Sequence, residues 1–189
     1  MERWHSKEGH RMGIYFNPNH TDFYNTVNHS QIYVDKTELI QYTNSVLFGE
    51  QKYICVSRPR RFGKSMAANM LTAYYSRGCD SRKIFQGLKI ATHPDFEKHL
   101  NQYNVIHLNM RDYLTESENI QQLIQFIEED LLDELQQEFS DIRMPRRKTL
   151  VKVLEQAFIQ YEVPFVFIID EWDCIFRVHK SDVTSQTAY

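Results

Sequence analysis

The residues most suited to chemistry lie in Ser57-Arg58-Pro59-Arg60-Arg61-Phe62-Gly63-Lys64-Ser65, where Gly-Lys-Ser follows closely on the apolar run Tyr53-Ile54-Cys55-Val56. This is the outline of a phosphate-binding loop, Gly-x-x-x-x-Gly-Lys-[Ser/Thr], with Arg58 standing where the first glycine belongs. Such a loop binds anions because successive backbone N–H groups turn inward and the following helix adds its positive N-terminal end. Gly63 gives the backbone room, Lys64 would reach the β- and γ-phosphates, and the Ser65 hydroxyl would ligate a magnesium ion. Arg58 lacks glycine's freedom and Pro59 has no N–H, so recognition rests on the later positions, Arg60 to Met66. Arg60 and Arg61 either contact phosphate, hold a partner segment, or are simply solvated.

A second constellation closes the chain's last apolar run. Phe165-Val166-Phe167-Ile168-Ile169, bounded by Pro164 and Asp170-Glu171, reads as a fully buried parallel strand delivering two acids to a sheet edge. In a Walker B role, Asp170 would support the magnesium ion through coordinated water, and Glu171 would orient and deprotonate an attacking water. The bland alternative is a core strand ended by two solvated acids. Gly-Lys-Ser alone arises often by chance, but the two constellations in this order favour nucleotide binding. Asp173 either assists the metal or caps the strand. Asp35 and Lys36 either lie near a base or ribose or form a helix-start charge pair.

The elements that must position these groups alternate in type. Ile32–Ile40 reads as an extended piece running into a helix that Thr37 caps. Lys52–Ser57 reads as a strand, and Gly63 onward as a helix with Met66, Met70, Leu71 and Tyr74 along one side, ended by Gly78. Val105–Met110 predicts a second strand. Asn119–Phe139 predicts a helix striped by Ile120, Leu123, Ile124, Ile127, Leu131 and Leu135, whose acids Glu128, Glu129, Asp130, Asp133, Glu134 and Glu138 form a solvated face. Pro145 opens a further helix carrying Leu150, Leu154, Ala157, Phe158 and Tyr161. Strands alternating with helices imply an α/β domain with a parallel sheet.

Composition excludes several classes. The 189 residues are 42% hydrophobic and 25% charged with net charge −3, which fits one ordered domain and gives no whole-chain attraction to nucleic acid or anionic membrane. No stretch reaches membrane-spanning length, and the N-terminus lacks a secretory pattern, so a cytoplasmic location is expected. Cys55, Cys79 and Cys174 share no metal-type spacing, and Cys55 and Cys174 sit in or beside apolar runs where a buried thiol fits. The eight histidines are scattered. Arg60, Arg61, Arg143, Arg146, Arg147 and Lys148 are a weakly supported basic patch for nucleic acid.

Arg58–Ser65, Ile169-Asp170-Glu171-Trp172-Asp173 and Tyr33-Val34-Asp35-Lys36-Thr37 together resemble the bacterial AAA-ATPase-like proteins, whose motifs are R-P-R-R-F-G-K-[ST], I-D-E-Y-D and Y-V-D-K-T. The resemblance spans roughly Gly13 to Phe176, with Trp172 in place of the usual tyrosine. It implies a P-loop NTPase three-layer sandwich of the AAA-like additional-strand class, often joined to a C-terminal PD-(D/E)XK nuclease-like domain. It also implies ATP and Mg2+ as cofactors, Glu171 and Lys64 as catalytic residues, Arg60, Arg61, Phe62, Gly63, Lys64, Ser65 and Met66 as the nucleotide contacts, and Ser65 and Asp170 at the metal. In that family's sheet the strand after Walker B inserts between the phosphate-loop strand and the Walker B strand. The present chain ends shortly after Glu171, so a module truncated after the Walker B strand is expected, with weakened ATP binding and poor hydrolysis. The corresponding divisions are an irregular lead-in over 1–31, the ATPase-like part over 32–178, and a polar tail over 179–189. A protein partner or homo-oligomer is compatible with this. The alternatives are a nucleotide-dependent protein or nucleic-acid binding module without turnover, and a small-molecule kinase, which the Asp170-Glu171 pair and the absence of an evident lid disfavour.

Overall fold

The computed structural model describes residues 13–57, 59, 61–142 and 148–178, with backbone alone at 177 and 178. Two short parallel strands, β1 (Asn104–Asn109) and β2 (Phe165–Asp170), pair in register from Asn104 opposite Phe165 to Asn109 opposite Asp170. Because the strands are parallel, their C-terminal residues Asn109 and Asp170 share one sheet edge. The period-2 alternation of β1 divides the molecule. Ile106 and Leu108 enter one core, whereas Val105, with Tyr103 just before the strand, enters the other.

The first core is built by α6 (Met110–Glu116), α7 (Ile120–Glu138), α8 (Leu150–Tyr161) and α9 (Cys174–Val178). The second is built by α1 (Thr21–His29), α2 (Glu38–Val46), α3 (Lys64–Tyr75), α4 (Arg82–Phe85), α5 (Phe96–His99) and a 3₁₀ turn at Lys89–Thr92. Aromatic side chains fill it: Phe23 stacks on Phe85, and Tyr74 meets Tyr75, Phe85 and Phe96. Helix layers on both faces of a parallel sheet make this an α/β protein. Among the described residues no helix is long and apolar enough to cross a membrane.

The other edge of β1 is covered by the chain's beginning. Phe16 bridges Ile106 in antiparallel fashion, Asn17 N donates to Val105 O, and His107 N donates to Tyr15 O. A single carboxylate fixes this segment: Glu134 of α7 accepts the backbone N–H groups of Ile14 (2.7 Å), Tyr15 (3.0 Å) and Phe16 (2.7 Å).

The lead-in expected to be irregular contains α1, whose Phe23 is fully buried. Lys52–Ser57 is not a strand: Glu50–Lys52 forms a 3₁₀ turn, and Tyr53–Ser57 joins no strand among the described residues. A strand needs a ladder partner, and these residues have none among the described residues, with Tyr53, Ile54 and Val56 exposed. Cys55 is exposed as well, while Cys174 and Cys79 are buried. β2 is parallel as expected but not fully buried. Val166 and Ile168 pack on the α3 side and Phe165 on the other, yet Phe167 and Ile169 stay exposed at 52% and 48%.

The acidic face of α7 is not merely solvated. Besides Glu134, Glu128 accepts Leu150 N at the start of α8, and Asp130 accepts the Tyr113 hydroxyl. Pro145 lies outside the described residues, and α8 starts at Leu150 with Val153 and Ala157 as its fully buried positions, leaving Phe158 exposed. The helix expected to run to Gly78 ends at Tyr75. Gly78 is required for a different reason: a Cβ there would lie 2.5 Å from Asn17 O. Thr37 occupies the N-cap position of α2, but its hydroxyl donates to Asp35 Oδ1 and accepts from Ile90 N instead of capping.

The Glu134 contacts yield a stability prediction. Glu134→Ala strips the acceptor from two half-buried amides and should cost about 2 kcal/mol. The urea midpoint should fall at unchanged slope, with Glu134→Gln intermediate because an amide carbonyl still accepts. A wild-type midpoint in Glu134→Ala would show that the carboxylate does not hold this segment.

Candidate functional site

The loop before α3 adopts an alternating backbone. Arg61 (φ 69°) and Gly63 (φ 80°, ψ 27°) lie in the left-handed region, whereas Phe62 between them does not. Alternation of hand brings successive N–H groups around one concavity, the arrangement that binds anions. Glycine accepts this conformation at little cost; Arg61 does so against an intrinsic penalty of about 1 kcal/mol or more. α3 starts at once, with Gly63 as its N-cap residue and Ala67 N donating to Gly63 O. The first-turn amides of this 12-residue helix therefore lie beside the same concavity. Lys64 and Met66 are half-buried, while Phe62 and Ser65 are exposed. Arg60, like Arg58, lies outside the described residues.

The second part is the end of β2. Asp170 Oδ1 accepts the N–H of Glu171 at 2.9 Å. Glu171 itself is left-handed (φ 54°), and its carbonyl accepts Cys174 N, turning the chain into α9. A left-handed glutamate costs energy that a glycine would spare, and such strain tends to sit where a side chain has work to do. The Glu171 carboxylate, only 17% exposed, pairs with Arg111 Nη2 at 3.3 Å. Arg111 follows β1 directly, in the first turn of α6, and its N–H is capped by Asn109 Oδ1. Sequence reasoning missed Arg111, whose one available signal was its place two residues past a strand whose end registers with Asp170.

α3 packs across both strands, so the helix that begins at the loop also lies against the strand that ends in Asp170-Glu171. His107 joins the two layers. Its Nδ1 lies 3.0 Å from Thr72 Oγ1 of α3, and burial lowers its pKa against the opposing pull of Asp170 and Asp22. Burial likewise lowers His20 and His99. Asp35 and Lys36 do different things: Asp35 accepts from Thr37 and from Lys89 N, while Lys36 Nζ donates to Phe62 O in the loop. Burial opposes ionisation of Asp35, but the hydrogen bonds from Lys89 and Thr37 outweigh it and lower its pKa.

Among the described residues no group of three or more His, Cys, Asp and Glu stands close enough to hold a metal ion. Magnesium needs no such cage, because it keeps water and substrate phosphates and takes one or two hard oxygen ligands from protein. The Ser65 hydroxyl and the Asp170 carboxylate are donors of that kind. Of the expected basic patch, only Arg61 and Lys148 are described, and both are exposed.

The fold and the candidate residues define an α/β protein whose acid pair ends a parallel strand and whose glycine-lysine-serine turn heads the helix packed on that strand. The model of the AAA-ATPase-like family, described as predicted AAA-ATPase, matches residues 19–187, and the chain belongs to that family. Neither a curated protein nor a solved structure matches it.

The neutral histidines set a pH dependence. A histidine whose folded pKa lies below its ordinary 6.5 binds a proton more readily when unfolded, so stability is full above that value and declines as pH falls through it. The urea midpoint should fall between about pH 7.5 and about pH 5.5, and His107→Gln should flatten that fall. A midpoint independent of pH over this window would mean that these rings are not held neutral.

Proposed function

We propose that this chain binds ATP with magnesium through Arg60, Arg61, Phe62, Gly63, Lys64, Ser65 and Met66. The alternating backbone at Arg61–Lys64, at the head of a helix, is the observation that carries this reading. Family membership supports it with a coarse expectation of ATPase character. The loop amides and the first turn of α3 bind the polyphosphate, and the Lys64 ammonium balances its charge. Ser65 and Asp170 hold magnesium, which neutralises phosphate charge when bound. Glu171 accepts a proton from the attacking water.

Turnover is slow in this reading. Among the described residues no strand links Tyr53–Ser57 to β2, so the loop and the acids are joined through the packing of α3 rather than through a continuous ladder. Catalysis that depends on positioning suffers from that looseness. A nucleotide-dependent binding module without turnover is the alternative, and the Arg111–Glu171 pair favours it, because a carboxylate held by a guanidinium is a poorer base.

Calorimetric titration with Mg–ATP, together with phosphate release, tests the reading. Lys64→Ala should weaken binding at least about tenfold. Glu171→Gln should bind as wild type does and lose about a hundredfold in any turnover. Saturable binding with no phosphate release selects the binding module. No binding by the wild-type chain refutes both.

A further inference from the structure

The segment Asp35-Lys36-Thr37 is fixed at both its outer residues. Asp35 Oδ1 accepts from Thr37 N (2.8 Å) and Thr37 Oγ1 (2.7 Å), and Asp35 Oδ2 accepts from Lys89 N (2.8 Å). Thr37, fully buried, accepts Ile90 N through its hydroxyl at 3.1 Å. The turn is thus bolted to the 3₁₀ turn at Lys89–Thr92, and its pivot cannot wander. Lys36 alone leaves this brace and crosses to the loop: its Nζ lies 3.4 Å from Phe62 O, and a Cβ built on Gly63 would lie 3.4 Å from the same nitrogen.

An ammonium has three donors, and Phe62 O engages one of them, weakly at that distance. The neighbouring lysine, Lys89, pairs with Glu38, whereas among the described residues no carboxylate pairs with Lys36. Lys36 therefore adds a third cation to the side of a loop that already carries Arg61 and Lys64. Gathering like charges is unfavourable unless an anion joins them. A lysine needed only to fasten the loop would do so without concentrating cations at a backbone concavity suited to phosphate.

We propose that Lys36 is a phosphate-contacting residue, a second lysine delivered from outside the loop to the nucleotide's polyphosphate. This rests on the ATP-binding reading above. The braced turn fixes the backbone from which the amine reaches Phe62-Gly63, so the ordering left when the anion arrives is that of the side chain alone.

Calorimetric titration of wild type, Lys36→Met and Lys36→Arg with Mg–ATP, alongside nucleotide-free melting, tests the proposal. Lys36→Met should weaken Mg–ATP about tenfold, and Lys36→Arg should stay within about threefold of wild type. The affinity of Lys36→Met should also depend less steeply on salt. Its nucleotide-free melting temperature should match wild type, since the side chain is exposed. Wild-type affinity in Lys36→Met overturns the proposal. So does a lowered nucleotide-free melting temperature with unchanged salt dependence, the mark of a brace. If wild type itself fails to bind Mg–ATP, the ATP reading falls and Lys36 with it. If wild type and Lys64→Ala behave as stated and Lys36→Met equals wild type, only the Lys36 assignment falls.

Discussion

The structure depends on β1 being paired along both edges. Its six residues receive β2 on one side and Tyr15–Asn17 on the other, and their alternation feeds two separate cores. A one-residue slip would exchange Val105 and His107 with Ile106 and Leu108, sending each set to the wrong face. The Glu134 carboxylate guards against that slip by fixing the backbone of Ile14, Tyr15 and Phe16, and α7, which carries it, is itself seated by Leu123, Leu131 and Leu135. A charged side chain thereby anchors the segment that pairs with the outer edge of β1.

The candidate site inherits its geometry from this arrangement in two different ways. Asp170 and Glu171 are placed by the ladder itself, since β2 ends in register with Asn109 and Arg111 reaches across to Glu171. The loop is placed by α3, whose packing on both strands supplies the connection, while Lys36 reaches it from the far side through one long hydrogen bond to Phe62 O. The covering of β2 is lopsided. Ile106 and Leu108 are buried, yet their in-register, same-face neighbours Phe167 and Ile169 are exposed, so among the described residues the helical layer over the first core covers β1 more fully than β2. Tyr53–Ser57, which carries Ile54 and Val56 toward the loop, is exposed as well.

What was legible in the sequence follows the physics of each signal. The long stripe of α7 and the apolar run of β2 were readable because periodicity records local burial. The same logic misread Lys52–Ser57, because an apolar run identifies a strand only if a partner exists to pair with it, and pairing is not a local property. It also misread β2 as buried on both faces. The acids of α7 looked solvated because nothing in a helix reveals that Tyr15 will pass beside Glu134. In the candidate site, Gly63, Lys64, Ser65, Asp170 and Glu171 stood out by spacing. Arg111 did not, since its relation to Glu171 exists only once β1 and β2 are side by side. Lys36 was flagged with Asp35, but which of the two meets the loop depends on the turn that Lys89 and Ile90 brace.

In the proposed function, the backbone concavity at Arg61–Met66 is where the chain meets the nucleotide. Amide hydrogen exchange with and without Mg–ATP addresses it residue by residue, without relying on turnover. Slowed exchange confined to the amides of Phe62 through Met66 and the first turn of α3, with α7 and α8 unchanged, is the predicted result. Unchanged exchange at those amides under saturating Mg–ATP, or protection centred elsewhere in the chain, would place the nucleotide away from this loop.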